Sequence, residues 1–484
     1  MGSSVPDTTF QHVHASFCAR GGRLLLKDGE LYRGLSHEVT PLYERLFSEG
    51  TIDDLMQDGA LVHTERTDES VEEFGLVVKH RLIPYVSYPY EWCSAALRYA
   101  ALFFLDFNLR LLGKGLLCFD ATPYNIVFEG TEPVYVDFES IRPWDSVNLT
   151  VWLADFQALF LRPLEMYQAG HERYVRLGMA EWRGWQRGVS PEDYVRLMDR
   201  HMARRMVSSA VSSVVSVASR LVPARLRGPA RRVWGTIRSA RSEPAPPRVP
   251  SRDELAKLLS DLRKKVEPLC PLPVLGWDYY RDLFAFPSLD DKTGWSAKQL
   301  AVSDAFERAA PRSVLDVGSN RGWYSQLAAR RGARVIAWDR DDRLVSLLFN
   351  DAHKGKLDIQ PLVMDLVWPT PAQGLGGVWQ AAEERHRCDM VLCLALIHHL
   401  VHIEGMHFDR IVLGLSDLTD RWLLIEFVPY ADPNLAQWPN LERRDWYTLE
   451  GLLTALEPQF SVLYTAVSDP RERTLIFAEK KHAS

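Results

Sequence analysis

An α/β fold built on a parallel sheet is predicted for the C-terminal part of the chain. Three observations predict it. From residue 313 onward, short apolar runs (313–317, 334–339, 359–364, 390–396, 422–427) alternate with helical patterns (324–331, 343–350). Such alternation marks βαβ units whose sheet is covered on both faces. The first three runs each carry an acid at or within one residue of their end: Asp316, Asp339 and Asp365. A glycine-containing turn, Gly318 to Gly322, follows the first run, where an open parallel sheet holds its ligand. The N-terminal part reads as a mixed α+β region followed by a helical stretch.

At 484 residues the chain calls for two or three domains. Its 46% apolar and 25% charged residues are ordinary for a globular protein, and the formal net charge is −6. The six Cys (Cys18, Cys93, Cys118, Cys270, Cys388, Cys393) form no CxxC pair. This argues against a zinc site or a disulfide framework and predicts a reducing, cytoplasmic setting. The N-terminus lacks a basic-then-apolar signal pattern. One uncharged stretch, residues 366–382, is 17 long and broken by Pro and Gly, whereas a span needs roughly 20 apolar residues. No transmembrane segment is expected.

After a tail over residues 1–20, residues 23–35 read as strand, turn and strand, with Lys27-Asp28-Gly29 as the hairpin signal. A helix is expected at 40–50, a strand within 74–86, and a long apolar helix over 91–112. Two short strands, 125–128 and 134–138, flank Gly130. A helical stretch runs from 145 to 269. It holds a Pro-rich linker at 242–251 and, between Asp199 and Glu243, ten Arg and no acidic residue. The predicted organisation is therefore 1–20 tail, 21–144 N-terminal domain, 145–269 connector and 270–484 C-terminal domain.

The chemistry of the C-terminal domain follows from Ser313-Val-Leu-Asp316-Val-Gly318-Ser319-Asn320-Arg-Gly322-Trp323. Gly318 lets backbone approach a ligand without a Cβ, and Gly322 lets the next helix pack closely. Asp339, 23 residues after Asp316, can accept both hydroxyls of a ribose. That spacing is shared with nicotinamide-binding folds. Met364-Asp365 can meet an adenine edge with an apolar neighbour. Then come Cys388-Asp-Met-Val-Leu-Cys393-Leu394-Ala-Leu-Ile-His398-His399, a helix, and Arg421-Trp-Leu-Leu-Ile-Glu426. Residues 461–467 and 474–478 read as a terminal antiparallel pair.

This series resembles the class I S-adenosylmethionine (SAM)-dependent methyltransferase family over residues 277–480. Asn320 stands where the family has its middle Gly. The resemblance implies a Rossmann-like seven-stranded methyltransferase sheet. Position by position, it implies SAM contacts from Asp316, Gly318, Ser319, Asn320, Gly322, Asp339, Arg340, Met364, Asp365 and Leu394, and no metal in this domain. A sulfonium methyl is already electrophilic, so the protein must align a nucleophile and take its proton. His398 and His399, just past the fourth strand, suit that task. One acts as base or orienting group and one can equally be structural. Glu426 is a further catalytic candidate. The aromatic cluster Trp277-Asp278-Tyr279-Tyr280 and Trp295 reads equally as a lid or as packing.

In the N-terminal half, Asp120, Asn125 and Asp137 resemble the catalytic and metal-binding loops of protein-kinase-like phosphotransferases. That resemblance implies a kinase-like domain, with ATP and magnesium at these three residues if it is active. Cys118-Phe119 replace the His-Arg before the catalytic Asp, Glu139 replaces the loop Gly, and the Gly-rich phosphate loop is missing. No Lys stands clearly on the expected strand, for which Lys79 and Arg33 are candidates. The combination resembles bacterial two-part methyltransferases of nodulation and natural-product type.

The expected function is methyl transfer from SAM to a small or medium polar acceptor, with O-methylation of a sugar or natural-product hydroxyl favoured. The kinase-like domain would bind substrate or regulate. The alternatives are an active ATP–magnesium phosphotransferase joined to the methyltransferase, or an RNA methyltransferase using the Arg-rich segment. Partners are a small-molecule or carrier-bound substrate. Nucleic acid is disfavoured by the acidic balance and by the absence of an Asn-Pro-Pro-Tyr-type motif. Residues 201–241 could instead contact an anionic surface.

Overall fold

Asp28 and Gly29 both have positive φ, 54° and 78°, the local twist that a two-residue hairpin requires. The computed structural model of the chain describes residues 10–13, 21–180, 188–198, 250–269, 287–439 and 441–481. Around the hairpin, β1 (Gln11–His12), β2 (Gly22–Lys27), β3 (Glu30–Leu35), β4 (Thr64–Arg66) and β5 (Leu76–His80) form an antiparallel sheet. Its order is β1-β2-β3-β5-β4. Helices α1 (Thr40–Ser48) and α2 (Thr51–Met56) join β3 to β4 and bury Tyr43, Leu46, Ile52 and Leu55. Arg33 is buried in β3, where its Nε donates to Nε2 of His80 at 3.2 Å. Lys79, in contrast, pairs with Glu30 at the surface.

The chain divides into two compact units: residues 1–96, 127–134 and 274–484 in one, and 97–126 and 135–273 in the other. The boundaries expected at 144/145 and 269/270 therefore do not separate compact bodies. The reason is long-range packing that local patterns do not report. In the first unit, Phe128 meets Trp92 edge-on with ring centroids 4.9 Å apart and meets Phe349 at 5.7 Å.

In the second unit, the long helix α3 (Ser94–Gly113) carries Phe104, which stacks on Trp152 and Phe160 at 5.7 and 5.6 Å. Those rings belong to the run from α4 (Leu149–Phe156) through a π-helical turn (Gln157–Leu161) into α5 (Arg162–Gln168). Helices α6 (Glu172–Ala180) and α7 (Pro191–Leu197) follow. Helix α8 (Arg252–Val266) starts with a Ser251–Glu254 capping box, and its Arg263 pairs with Asp106 at 2.8 Å. The stretch expected to be a mere connector thus supplies, over its described residues, part of the core around α3. Within this unit β6 (Leu116–Cys118) pairs with β9 (Ile141–Pro143); β7 (Ile126–Glu129) and β8 (Glu132–Tyr135), which pair with each other, belong almost wholly to the first unit. The Arg-rich segment and residues 277–280 lie outside the described residues. No helix among those described is long and apolar enough to cross a membrane.

The first unit also holds a seven-stranded sheet. Its strands are β10 (Ser313–Val317), β11 (Arg334–Asp339), β12 (Ile359–Val363), β13 (Cys388–Cys393), β14 (Thr419–Phe427), β15 (Phe460–Val467) and β16 (Thr474–Lys480). The order is β12-β11-β10-β13-β14-β16-β15, and only β16 runs against its neighbours. From β10 the chain winds outward through β11 to β12, then returns to β13 on the other side. In open α/β sheets such a reversal, here between β10 and β13, marks where ligands bind. Helices α9 (Ala297–Ala309), α10 (Trp323–Arg330), α11 (Asp342–Gly355), α12 (Ala382–Arg385), α13 (Ile397–His402), α14 (Phe408–Leu418) and α15 (Leu449–Leu456) complete this half. Val302, Phe306, Trp323, Leu327, Val314, Val335 and Leu348 share one core cluster. Trp295 packs into the same cluster, edge-on to Trp323 at 5.1 Å, so its role is packing.

Candidate active site

The register of the parallel strands brings the acids to one edge. Asp316 pairs with Ala337 and Leu392, and Asp339 pairs with Val363, so Asp365 lies just past β12 on the same edge. Asp316 is buried and accepts a 2.6 Å hydrogen bond from Ser325 Oγ on α10. Burial raises its carboxyl to about 6, with Asp339 adding to the rise and Ser325 opposing it.

The turn after β10 is held by two amides, Gly318 N and Ser319 N, which both donate to Trp338 O at 2.9 Å. Gly318 has φ +72°, and a Cβ there would sit 3.3 Å from Leu396. Asn320 has φ 54°, a left-handed conformation that Asn tolerates. Its backbone N donates to Asp339 Oδ2 at 2.8 Å, while Asp341 N donates to Asp339 Oδ1 at 2.9 Å. Each oxygen of Asp339 keeps a second lone pair, enough for the two hydroxyls of a ribose. Burial raises the Asp339 carboxyl and the two amides oppose the rise.

Gly322 has φ +70° and caps α10; any Cβ there would run into Leu348. Ser319 is buried and its hydroxyl has no hydrogen-bond partner among the described residues. An orphaned hydroxyl beside a glycine cradle fits a polar ligand group. Asp365 accepts from Val367 N through Oδ1 at 2.8 Å, and Met364 and Leu394 are buried. Arg340 is exposed and pairs with Glu404 at 3.6 Å.

Past β13, Ala395 turns with φ 50° and α13 presents the histidines. His398 and His399 have ring centroids 4.3 Å apart, and Trp438 packs on both, at 5.4 and 4.9 Å. His398 is buried, and neither its Nδ1 nor His402 Nε2 has a hydrogen-bond partner among the described residues. Burial, then the charge of His399, push His398 down to about 3. Burial followed by Arg340 and Arg473 lowers His399. Both rings are therefore neutral near pH 7. Arg473 is fixed by Asp432 at 2.7 Å, and Asp432 also accepts from Asn434 N and Leu435 N.

Glu426, expected as a catalytic group, is placed otherwise. It is fully buried, its Oε2 takes Lys298 Nζ at 2.7 Å, and its Oε1 takes the Ser468 hydroxyl. It is the counter-ion of Lys298. Ser325, Lys298, Arg473, Asp432 and Trp438 were not legible as site residues, because each reaches the site through tertiary packing and carries no local motif.

In the second unit, Asn125 Nδ2 donates to Asp137 Oδ2 at 3.1 Å and to Tyr135 OH at 3.4 Å. Asp120 bears on Asp155, whose carboxyl is raised first by burial and then by that neighbour. Among the described residues no group of three or more His, Cys, Asp or Glu could hold a metal ion. Magnesium commonly takes only one or two carboxylates and fills its shell with water and phosphate oxygens.

The strand order and register define a Rossmann-like seven-stranded α/β sheet with an acid-lined edge. No protein-family model matches the chain. Over 439 residues the chain is 28% identical to Nodulation protein NoeA of Rhizobium meliloti (strain 1021), covering 88% of this chain and 87% of that protein. Magnesium protoporphyrin IX methyltransferase (ChlM) from Synechocystis PCC 6803, solved with bound SAH, matches 43% of this chain and 95% of its own, at 17% identity and TM-score 0.29. A TehB-like SAM-dependent methyltransferase from Corynebacterium glutamicum matches 42% and 96%, at 14% identity and TM-score 0.29. The bifunctional kinase-methyltransferase WbdD matches 43% of each chain, at 19% identity and TM-score 0.29. The fold assignment rests on strand order and register.

Proposed function

We propose that the chain binds SAM at the edge of β10, β11 and β12 and methylates the oxygen of a small or medium polar acceptor, such as a sugar or natural-product hydroxyl. The observation that carries this reading is the convergence of Asp316, the Gly318–Gly322 turn, Asp339 and Asp365 on one sheet edge, with two neutral histidines beside it. When bound, SAM supplies an electrophilic methyl on sulfur. Asp316 balances the cationic methionine end, Asp339 takes the ribose hydroxyls and Asp365 meets the adenine amino group. His399, half-buried and neutral, accepts the acceptor's proton. His398, with a far weaker basic nitrogen, orients the acceptor through Nδ1, and Trp438 forms one wall.

Calorimetry with SAM tests the cofactor reading. Asp316→Ala and Asp339→Ala should each weaken binding by at least about tenfold, the scale of a lost charged hydrogen bond. Unchanged affinity in both variants would sink it.

A second reading is favoured by the Asn125–Asp137 contact, which joins two of the three residues that a kinase-like metal site uses. In this reading the N-terminal domain binds ATP with magnesium, either as a regulatory module or as a phosphotransferase. Binding of ATP–magnesium that disappears in Asp137→Ala supports it, and a calorimetric blank with the wild-type chain removes it.

A further inference from the structure

The turn that holds the ribose acid is also held from far away in sequence. Asp339 is followed by Asp341, whose side chain caps α11 by accepting from Arg343 N at 2.9 Å, and then by Asp342. Asp342 is buried. Its Oδ1 takes the hydroxyl of Ser94 at 2.5 Å and its Oδ2 takes Ser94 N at 3.0 Å. One turn along α11, Ser346 Oγ is 3.2 Å from Ser94 Oγ and accepts from Ala95 N at 3.3 Å. Ser94 begins the 20-residue helix α3. A carboxylate there satisfies orphan amides and sits at the positive end of the helix dipole.

The same N-terminal segment is fastened to the methyltransferase half twice more. Gln360 on β12 donates to Ser87 Oγ at 3.0 Å and to Phe128 O at 3.1 Å. Arg385 on α12 forms a buried pair with Glu91. Residues 339–342 are thus braced on one side by the sheet and on the other by Ser94.

We infer that Ser94 is a positioning residue for cofactor binding: through Asp342 it fixes the 339–342 turn so that the Asp339 carboxylate presents both oxygens to the ribose hydroxyls. This rests on the SAM reading above and assigns part of that site to the N-terminal region. The mechanism is preorganisation. Asp339 already spends one lone pair of each oxygen on Asn320 N and Asp341 N, so its two remaining lone pairs meet a ribose only if Asp341 stays in place.

The test measures binding of SAH and of its 2′,3′-dideoxyribose analogue to the full-length chain by calorimetry. The wild type should prefer SAH by at least about tenfold. In Ser94→Ala, SAH affinity should fall about tenfold while the dideoxy analogue changes by less than about twofold, so the preference collapses. Asp342→Asn, which keeps size and one acceptor, should move in the same direction by a smaller factor. A uniform loss for both ligands, or no change for either, overturns the inference, because a merely structural contact would not read the ribose hydroxyls. Should Ser94→Ala fail to fold, the Asp342→Asn preference decides alone. A wild-type chain that binds neither ligand overturns the SAM reading and this inference with it, an outcome distinct from a wild type that binds and variants that keep their preference.

Discussion

Asp316 sits among apolar strand residues with a single hydroxyl donor, which is why its carboxyl titrates near 6 rather than near 4. Its folded value is raised, so the native state holds a proton that the unfolded chain has lost between about pH 4 and 6. The charged form therefore costs stability above that window. Asp316→Asn should stabilise the ligand-free protein by up to about 3 kcal/mol at pH 7.5, and by little at pH 4, in urea titrations. The same variant should lose SAM. A cationic ligand favours the carboxylate, so wild-type affinity should climb from pH 5 to about 7 and then level off, with proton release measurable by calorimetry in two buffers of different ionisation enthalpy.

The histidines make a separate expectation at this scale. His398, held near 3 by burial and His399, stays neutral across the working range. Its replacement by Asn should lower turnover without moving the acidic limb of the rate profile. His399→Ala should cost on the order of 10²–10⁴ in turnover, as expected for a lost general base. Equal, small losses in both variants would leave the base elsewhere.

Among the elements, those that rest on local chemistry were legible. The Asp28-Gly29 turn, the long apolar helix and each strand of the parallel sheet fell where alternation and turn residues placed them, apart from a few residues at their ends. The strand-end positions of the acids and the glycine turn were legible for the same reason: they are set by sequence neighbours. What could not be read was any contact whose partners lie more than a hundred positions apart, such as Lys298 with Glu426 or Ser94 with Asp342. A carboxylate at a strand end looks the same in sequence whether it faces a substrate or a buried lysine, so the Lys298 partner of Glu426 was not legible. Gly322 offers a check at this level. Gly322→Ala combines a left-handed backbone penalty with overpacking against Leu348, and should destabilise by about 2–4 kcal/mol. Pairing it with Leu348→Ala should restore part of the loss if the clash contributes; strict additivity in urea titrations would exclude it.

At the scale of the whole molecule, composition and charge suggested separable domains in sequence order, and the packing does not follow that order. Phe128, Trp92 and Phe349 meet inside one unit although they come from opposite halves of the chain. A fragment beginning at residue 270 would expose Phe349 and leave Asp342, Gln360 and Arg385 without the partners that satisfy them. We expect such a fragment to be insoluble or to unfold well below the full-length chain in a thermal melt; equal melting temperatures would contradict this partition.

The interleaved course of the chain also bears on how the protein is made. Residues 1–96 leave the ribosome first, yet the unit they complete includes residues 274–484. At synthesis rates of about 5–20 residues per second, the early sheet waits on the order of tens of seconds for its other half. During that interval the hydroxyl of Ser94 and the carboxylate of Glu91 lack the partners that Asp342 and Arg385 later supply.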